Sequence, residues 1–212
     1  MIQLYNYYRS SASYRVRIAL HLKQIPFEYH AVQLSTGEQM SEAFKILNPF
    51  QAVPYLIDGN IKLSQSLAIL DYIEALYPEP ALYPSDPELR AKTLEIALSL
   101  VCDLHPLNNL KVLGYLREKA QFSDEQIMAW MHHWFHQILA PLEEMISKDR
   151  QTRYALTNSV SLVELCLIPQ LYNARRFGVN LSKYPTLKAI ESTCLELGAF
   201  QKALPENQPD YL

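Results

Sequence analysis

A proline-rich segment near residue 80 divides this chain of 212 residues into two parts with different sequence patterns. Pro78, Pro80, Pro84 and Pro87 fall within ten residues, and each lacks the backbone donor that helices and sheets need. We therefore predict a linker over residues 81–87, which joins a domain over residues 1–80 to a domain over residues 88–212. The chain is long enough for both domains to bury a core.

Short apolar runs and amphipathic segments alternate in the first part, in the order strand, helix, strand, helix, strand, strand, helix. The first strand is predicted between Ile2 and Tyr8, and Asp58-Gly59-Asn60 predicts a tight hairpin turn between the last two strands. A central sheet with helices on both faces is the economical packing for this order. The pattern predicts an α/β thioredoxin-like fold.

The second part has the pattern of an all-α domain, because strand signals nearly vanish beyond the linker. Residues 88–119 follow a helical pattern that Pro106 is expected to bend or interrupt. Capping boxes at Ser123–Gln126 and Ser161–Glu164 predict two further helix starts. A last helix is predicted to follow Pro185 and to reach about Leu197.

Composition and charge narrow the function classes. A net charge of -3 argues against a nucleic-acid partner, and no stretch approaches the roughly 18 apolar residues of a membrane span. Cys102, Cys166 and Cys194 lie outside any C-x-x-C pattern and in apolar, helix-like surroundings, so we predict buried thiols of a reducing compartment. The N-terminus lacks the pattern of a signal peptide, and we expect a cytoplasmic protein.

Serine and arginine are concentrated between the first predicted strand and the first helix. Ser10, Ser11 and Ser13 fall at the predicted helix N-terminus, where backbone N–H groups and the helix dipole favour an anion. A hydroxyl group there can cap the helix, or it can donate a hydrogen bond to a bound thiolate. The pattern alone favours the cap.

A second helix start follows the predicted hairpin at Gln65-Ser66. Capping is again the simpler interpretation, whereas exposed N–H groups and a serine hydroxyl could bind a carboxylate. Val53-Pro54 opens a predicted strand, which tolerates proline at its first position.

Two further clusters have alternative interpretations. His132 and His136 are one helical turn apart, with His133 between them, but no acidic residue accompanies them as in H-E-x-x-H. We predict a partly exposed helix face and no metal site. Arg175 and Arg176 lie near a helix end, where they can complement the dipole or bind a substrate carboxylate. The pattern leaves both interpretations open.

Several motifs together resemble one known family. The first is the run Tyr8–Leu20, which reads Y-R-S-S-A-S-Y-R-V-R-I-A-L. The others are Leu47-Asn48-Pro49, Val53-Pro54, Gln65–Ile69, His105–Leu110, Leu165–Gln170 with Asn173 and Arg176-Phe177, Ala199-Phe200 and Gln208-Pro209-Asp210. Over essentially the whole chain, the sequence resembles the zeta class of glutathione transferases, the group that includes maleylacetoacetate isomerase.

The resemblance implies a glutathione site on the domain of residues 1–80. It implies that Ser10, or Ser11 as the second choice, donates its hydroxyl to the glutathione sulfur, and that the helix N-terminus further stabilises the thiolate. It also implies that Gln65 and Ser66 bind the γ-glutamyl carboxylate. The full set of implied glutathione-binding residues is Ser10, Ser11, Ala12, Ser13, Tyr14, Arg15, Gln39, Val53, Gln65, Ser66, His105, Asn109 and Leu110.

In this resemblance the backbone of Val53 holds the tripeptide, together with Gln39, and Pro54 is in the cis form. His105, Asn109 and Leu110 border the site from the helical domain. Arg9 and Arg176 are the implied substrate-binding residues, the second of which attracts a carboxylate. Similar proteins are homodimers.

The implied activity is the cis–trans isomerisation of a dicarboxylate enone in tyrosine and phenylalanine breakdown. The glutathione thiolate adds to the conjugated double bond, the resulting single bond rotates, and expulsion of the thiolate gives the trans product. Glutathione is regenerated and so acts as a cofactor. The alternatives are a zeta-class transferase for small electrophiles such as α-haloacids, and a non-catalytic glutathione-binding homologue.

Two departures from the family pattern bear on these alternatives. The family usually has Cys and Trp where this chain has Ala12 and Tyr14. The position that lacks the usual cysteine, Ala12, is next to the implied sulfur site. The loop at residues 156–159 lacks the usual Gly-Asp before the second capping box. A thiol-disulfide oxidoreductase is disfavoured, because the first helix begins with Ser10, Ser11 and Ala12 and offers no cysteine there.

Overall fold

The computed structural model describes residues 1–148 and 150–211, and the chain divides into two compact units. One unit contains Met1–Leu82 together with the segment from Leu195 onward, and the other contains Tyr83–Cys194. The expected second domain extended to residue 212, whereas the structure groups the last segment with the first unit. One cause is the buried Arg17, whose Nε and Nη2 donate to the carbonyl oxygen of Ala203 at 3.2 and 3.1 Å.

The first unit is built on a mixed sheet. Strands β1 (Ile2–Asn6), β2 (Phe27–Ala31), β3 (Tyr55–Asp58) and β4 (Ile61–Ser64) have the order β2-β1-β3-β4. β1 is parallel to β2 and antiparallel to β3, and β3 is antiparallel to β4. The hairpin between β3 and β4 is confirmed, and Gly59 has the positive φ of 56° that such a turn requires.

Helices lie on both faces of this sheet, as the α/β thioredoxin-like fold predicts. α1 (Ser11–Leu22) and α3 (Ser66–Leu76) contribute Val16, Leu20, Ile69 and Ile73 to a core that also contains Leu4 of β1. Two short 3₁₀ turns, Leu34–Thr36 and Glu38–Met40, lead into α2 (Glu42–Leu47). The ring of Phe44 in α2 lies 6.5 Å from the ring of Tyr5, which points away from that core.

Among the described residues of the second unit, all regular structure is helical. It contains α4 (Pro87–Leu98), α5 (Leu110–Glu118), α6 (Asp124–Ser147), α7 (Leu162–Arg176) and α8 (Pro185–Leu195). Both predicted capping boxes are present, at the starts of α6 and α7. The interruption expected at Pro106 begins earlier, because a π-helical segment (Ser99–Leu104) and a 3₁₀ turn (His105–Asn108) separate α4 from α5.

The last predicted helix ends at Leu195, two residues earlier than expected, and is followed by α9 (Gly198–Ala203) and a 3₁₀ turn, Pro205–Asn207. α9 packs against α1 of the first unit. Within the described residues, no helix combines the length and the apolar character that a membrane crossing requires.

The prediction that all three cysteines are buried is wrong for Cys102. Cys166 and Cys194 are buried and Cys102 is exposed. Cys102 lies in the π-helical segment, where the wider turn changes which side chains face inward, and an ordinary helical pattern does not reveal this change.

Candidate active site

The N-terminus of α1 carries the predicted sulfur-binding serines. Ser10 is the N-cap residue, and its Oγ accepts a hydrogen bond of 3.2 Å from the backbone N–H of Ser13. The simpler interpretation of this serine, as a helix cap, is therefore correct. The capping role does not exclude a role as donor to a thiolate, because an oxygen that accepts from the Ser13 N–H keeps its hydroxyl hydrogen for donation to a ligand. Ser11 is buried at the first helical position, and Ala12 is half-buried.

Residues further along the first turns of α1 face the interior. Ser13 is fully buried, and Tyr14 and Arg15 are each 1% exposed. The Arg17 guanidinium lies over the Tyr14 ring at 5.5 Å. Arg9, just before the helix, is half-buried, with its guanidinium carbon 5.8 and 5.6 Å from the ring centres of Tyr7 and Tyr8.

A buried hydrogen bond joins the start of α3 to α1. Nη1 of Arg15 donates to Oγ of Ser66 at 3.0 Å, so a positive charge lies at the N-terminus of α3. Among the described residues no side chain caps this helix start, so the capping interpretation of Gln65-Ser66 is wrong. Gln65 precedes it with a φ of 74°, a conformation that costs a non-glycine residue about 1–3 kcal/mol and is typical of ligand-binding sites. Uncapped N–H groups next to a buried cation form a site suited to a carboxylate.

Two loop segments carry the other implied contacts in this unit. The Val53–Pro54 bond is cis, which confirms the expectation drawn from the resemblance, and Val53 is half-buried. Gln39 lies in a 3₁₀ turn, and its Oε1 atom is buried without a hydrogen-bond partner in the part of the chain that the structure describes. A buried amide oxygen of this kind is an acceptor available to a ligand.

Sequence reasoning assigned no role to Asn48, which organises the loop before the cis bond. Its Nδ2 donates to the carbonyl oxygen of Ala52 at 2.8 Å, and its Oδ1 accepts from the N–H of Phe50 at 3.1 Å. The residue is 1% exposed. An Asn-Pro pair that ends a helix is the signal by which this role could have been found.

In the second unit, a network of side-chain amides connects His105 and Arg176, two of the residues that the resemblance implies. Nε2 of Gln170 lies 3.0 Å from Nδ1 of His105, and its Oε1 accepts from Asn108 at 3.4 Å. Asn108 in turn accepts from Asn173 at 3.5 Å, and Asn173 accepts from Nη1 of Arg176 at 2.9 Å. The network therefore runs from His105 to Arg176 through buried amides.

The other predicted residues of this unit have more local contacts. Asn109 caps α5, because its Oδ1 accepts from the N–H groups of Lys111 and Val112 at 2.9 and 3.2 Å. Leu110, the first residue of α5, is exposed. Arg175 forms a two-pronged ion pair with Glu191, so the structure assigns it to helix–helix contact and leaves Arg176 as the candidate for substrate.

His132, His136 and Cys194 of the second unit have structural contacts or buried surroundings. His132 Nε2 lies 2.7 Å from the carbonyl oxygen of Phe177, and His136 is hydrogen-bonded to the Tyr184 hydroxyl. Burial raises the pKa of the Cys194 thiol, and the neighbouring Glu164 carboxyl adds to this effect. A thiol of raised pKa is a poor nucleophile at neutral pH.

The fold of the first unit is that of the glutathione S-transferase N-terminal domain, whose family model matches residues 1–75. A probable maleylacetoacetate isomerase from Vibrio cholerae serotype O1 is 46% identical over 209 residues, which cover 98% of this chain and 97% of that protein. The holo structure of a maleyl pyruvate isomerase, a bacterial glutathione S-transferase of the zeta class, has a TM-score of 0.97 and 41% identity, with 99% of this chain and 100% of that chain covered.

A maleylacetoacetate isomerase from Methylobacterium extorquens AM1, solved with bound malonate and glutathione, has a TM-score of 0.92 and 36% identity, with 99% of each chain covered. The present chain belongs to the zeta class of the glutathione S-transferases, the family of the maleylacetoacetate and maleylpyruvate isomerases.

Proposed function

We propose that this protein is a glutathione-dependent cis–trans isomerase of the maleylacetoacetate type, which acts in tyrosine and phenylalanine breakdown. The observation that carries this proposal is the state of Ser10. Its oxygen accepts from the Ser13 N–H at the start of α1, and its hydroxyl hydrogen is available to a thiolate. Glutathione is the cofactor, as it is bound in the relative from Methylobacterium extorquens described above.

Glutathione binding needs three kinds of contact, and residues of the first unit offer each of them. Ser10 donates its hydroxyl to the sulfur, with Ser11 as the second choice, and the N-terminus of α1 lowers the pKa of the thiol. The start of α3, with Gln65 and Ser66, binds the γ-glutamyl carboxylate. The backbone of Val53 binds the extended tripeptide.

Further residues of the proposed glutathione site have supporting roles. Arg15 directs Ser66 and supplies positive charge, and Ser13, Ala12 and Tyr14 complete the first turns of α1. Gln39 offers as an acceptor its Oε1, which has no hydrogen-bond partner among the described residues. The resemblance implies His105, Asn109 and Leu110 as the remaining glutathione-binding residues.

The second substrate carries two carboxylates, and arginine is the side chain best suited to bind them. We assign this role to Arg9 and to Arg176, whose guanidinium is oriented by Asn173. The thiolate then adds to the conjugated double bond, and the negative charge moves into the adjacent carbonyl system. The new single bond rotates, and the same carbon–sulfur bond breaks as the trans double bond forms. The cycle consumes neither an oxidant nor glutathione.

The test is isomerisation of maleylacetone by the purified protein. The loss of the cis isomer is followed by absorbance, with and without glutathione, and the free thiol is titrated at the end. We expect conversion only in the presence of glutathione and full recovery of the thiol. Glutathione binding without conversion would identify a non-catalytic homologue, and consumption of glutathione with an α-haloacid would identify a transferase instead.

We also propose that the protein is a cytoplasmic homodimer. The resemblance supports the dimer, and the absence of a disulfide among the described cysteines fits a reducing compartment. Light scattering coupled to size-exclusion chromatography tests the dimer. Two chains of 24.5 kDa should give a mass of about 49 kDa. Elution at the mass of one chain would contradict it.

A further inference from the structure

The turn that carries Ser10 is held by residues from the other end of the chain. Ser10 donates its own N–H to the carbonyl oxygen of Tyr7 at 3.1 Å. The position of Ser10 therefore depends on where the peptide groups of Tyr7 and Tyr8 lie. Both of these residues are buried, so the turn is part of the interior of the first unit and not a free surface loop.

Asp210 binds the N–H side of this turn. Its Oδ2 accepts from the backbone N–H of Tyr8 at 3.0 Å, and its Oδ1 accepts from the Tyr29 hydroxyl. Asp210 is 8% exposed, and the next residue, Tyr211, places its ring 5.5 Å from the Tyr8 ring. Burial raises the pKa of Tyr29, and the bond to Asp210 raises it further, so the hydroxyl stays protonated and donates.

Arg17 binds the carbonyl side of the same turn. Its Nη1 donates to the oxygen of Tyr7 at 3.2 Å, and its Nη2 donates to the oxygen of Tyr8 at 2.8 Å. The remaining N–H groups of this fully buried side chain reach Asn6 and Ala203. The N–H and the carbonyl groups of the turn are thus each fixed by a buried charged side chain.

We propose that Asp210 is a positioning residue for the glutathione sulfur, because it fixes the turn from which Ser10 donates its hydroxyl. The inference rests on the proposed role of Ser10. A hydroxyl-to-sulfur hydrogen bond depends on distance and angle, so a turn that is free to shift stabilises the thiolate less well. The last residues of the chain, through one carboxylate, therefore contribute to the acidity of the bound thiol.

The charge of Asp210 and its positioning role predict opposite effects on that thiol. A carboxylate near a thiolate repels it, so the loss of the charge alone would lower the thiol pKa. The loss of positioning would raise it. Asp210→Asn removes the charge and one of two acceptors, since an amide has a single acceptor oxygen. Tyr29→Phe removes only the bond that orients the carboxylate and keeps the charge.

The chain contains a matched control pair. The Tyr72 hydroxyl donates to Oδ2 of Asp58 at 3.0 Å, which is the same type of bond at the β3–β4 hairpin. Asp58→Asn and Tyr72→Phe therefore test the general effect of losing a tyrosine–aspartate bond in this unit. Neither residue belongs to the proposed glutathione site.

The first measurement is amide hydrogen exchange of the full-length protein without ligand. In Asp210→Asn, the Tyr8 amide is expected to exchange at least about tenfold faster, because a hydrogen bond to a charged group is lost. The control variants should leave this rate unchanged. An unchanged Tyr8 rate in Asp210→Asn would overturn the proposal without reference to glutathione.

The second measurement is the ultraviolet absorbance of the bound glutathione thiolate as a function of pH. We expect the thiol pKa to rise by roughly half a unit or more in Asp210→Asn and in Tyr29→Phe, and the pH profile of kcat to move upward with it. A lowered or unchanged thiol pKa in both variants overturns the inference and leaves the proposed function intact. No thiolate signal in the wild-type protein would overturn both.

Discussion

Nη1 of Arg15 donates a hydrogen bond of 3.0 Å to Oγ of Ser66, and 51 positions separate the two residues in the sequence. Arginine has donors only, so the serine oxygen must accept, and the serine hydrogen is left for a ligand. The bond therefore makes Ser66 a directed donor beside a buried positive charge. The two helix starts of the proposed glutathione site are coupled through it.

Replacing Arg15 by methionine tests this coupling, because the two side chains have similar length and only the arginine is charged. Arg15→Met is expected to weaken glutathione binding by about tenfold to a hundredfold, the range for a lost hydrogen bond to a charged group. Isothermal titration calorimetry measures the effect. A glutathione analogue without the γ-glutamyl carboxylate is the control ligand and should lose little affinity. Equal losses for both ligands would mean that Arg15 serves only the fold.

Ser10 is proposed to combine a capping role with a catalytic one, and alanine substitution separates the two. Ser10→Ala is expected to lower turnover on the order of a hundredfold, as is typical when one donor to a developing anion is removed. Ser41→Ala is the matched control, because the Oγ of Ser41 caps α2 through a bond of the same length, 3.2 Å, from Phe44. Each variant should lose about 1 kcal/mol of unfolding free energy.

The outcome of these two variants distinguishes the roles clearly. Equal turnover in Ser10→Ala and Ser41→Ala, with equal loss of stability, would reduce Ser10 to a cap. Ser11→Ala would then become the variant to measure, because Ser11 is the second candidate for the sulfur.

The adjacent arginines at the end of α7 should separate into a substrate-binding residue and a structural one. Arg176→Gln is expected to raise the KM for the dicarboxylate substrate by about tenfold, because one charge-assisted contact is lost. Glutathione affinity should not change. Steady-state kinetics with maleylacetone provide the measurement.

Arg175→Gln is the companion variant, and the opposite pattern is expected. It breaks the ion pair with Glu191, whose side chain is 5% exposed and would be left as a buried carboxylate. The loss of unfolding free energy should be about 1–2 kcal/mol, since Arg175 itself is half-exposed and screened by water. A substrate KM raised more by Arg175→Gln than by Arg176→Gln would reverse the assignment.

His136 is expected to make stability depend on pH in the mildly acidic range. Burial lowers its pKa below the ordinary 6.5, and the nearby charges of Lys183 and His132 lower it further. The unfolded chain therefore binds a proton at a higher pH than the folded protein does. The contribution of His136 to stability is complete above pH 6.5 and is lost as the pH falls toward the lowered folded-state value.

Urea unfolding across this pH range tests the expectation. His136→Phe should flatten the stability curve below pH 6.5 relative to the wild type. His133→Phe is the comparison, because His133 is exposed on the same helix. An identical slope for the wild type and His136→Phe would show that other groups carry the dependence.

Local chemistry explains which features the sequence could predict. The capping boxes at the starts of α6 and α7 join residues three apart, and the hairpin after Asp58 needs only a glycine that accepts positive φ. Such features depend on neighbouring residues, so the pattern is sufficient to predict them. The pattern also predicted Ser10 as a helix cap, whereas the glutathione role came from the resemblance.

Two other features could not be predicted in the same way. Cys102 was expected to be buried, but a π-helical segment turns it outward. The last residues were assigned to the helical domain by their periodicity, but their contacts with Arg17 and Tyr8 group them with the first unit. Periodicity shows that a segment is amphipathic and does not show which surface it covers.

The order of strands and helices in the first unit and the two capping boxes could be predicted from the sequence, because these features follow from backbone chemistry over a few residues. The hydrogen bond between Asp210 and Tyr8, which are 202 positions apart, and the bond from Arg15 to Ser66 become visible only in the folded protein. Contacts of this kind depend on how distant segments pack and on which way each side chain points, and many distant pairs are compatible with the same local pattern.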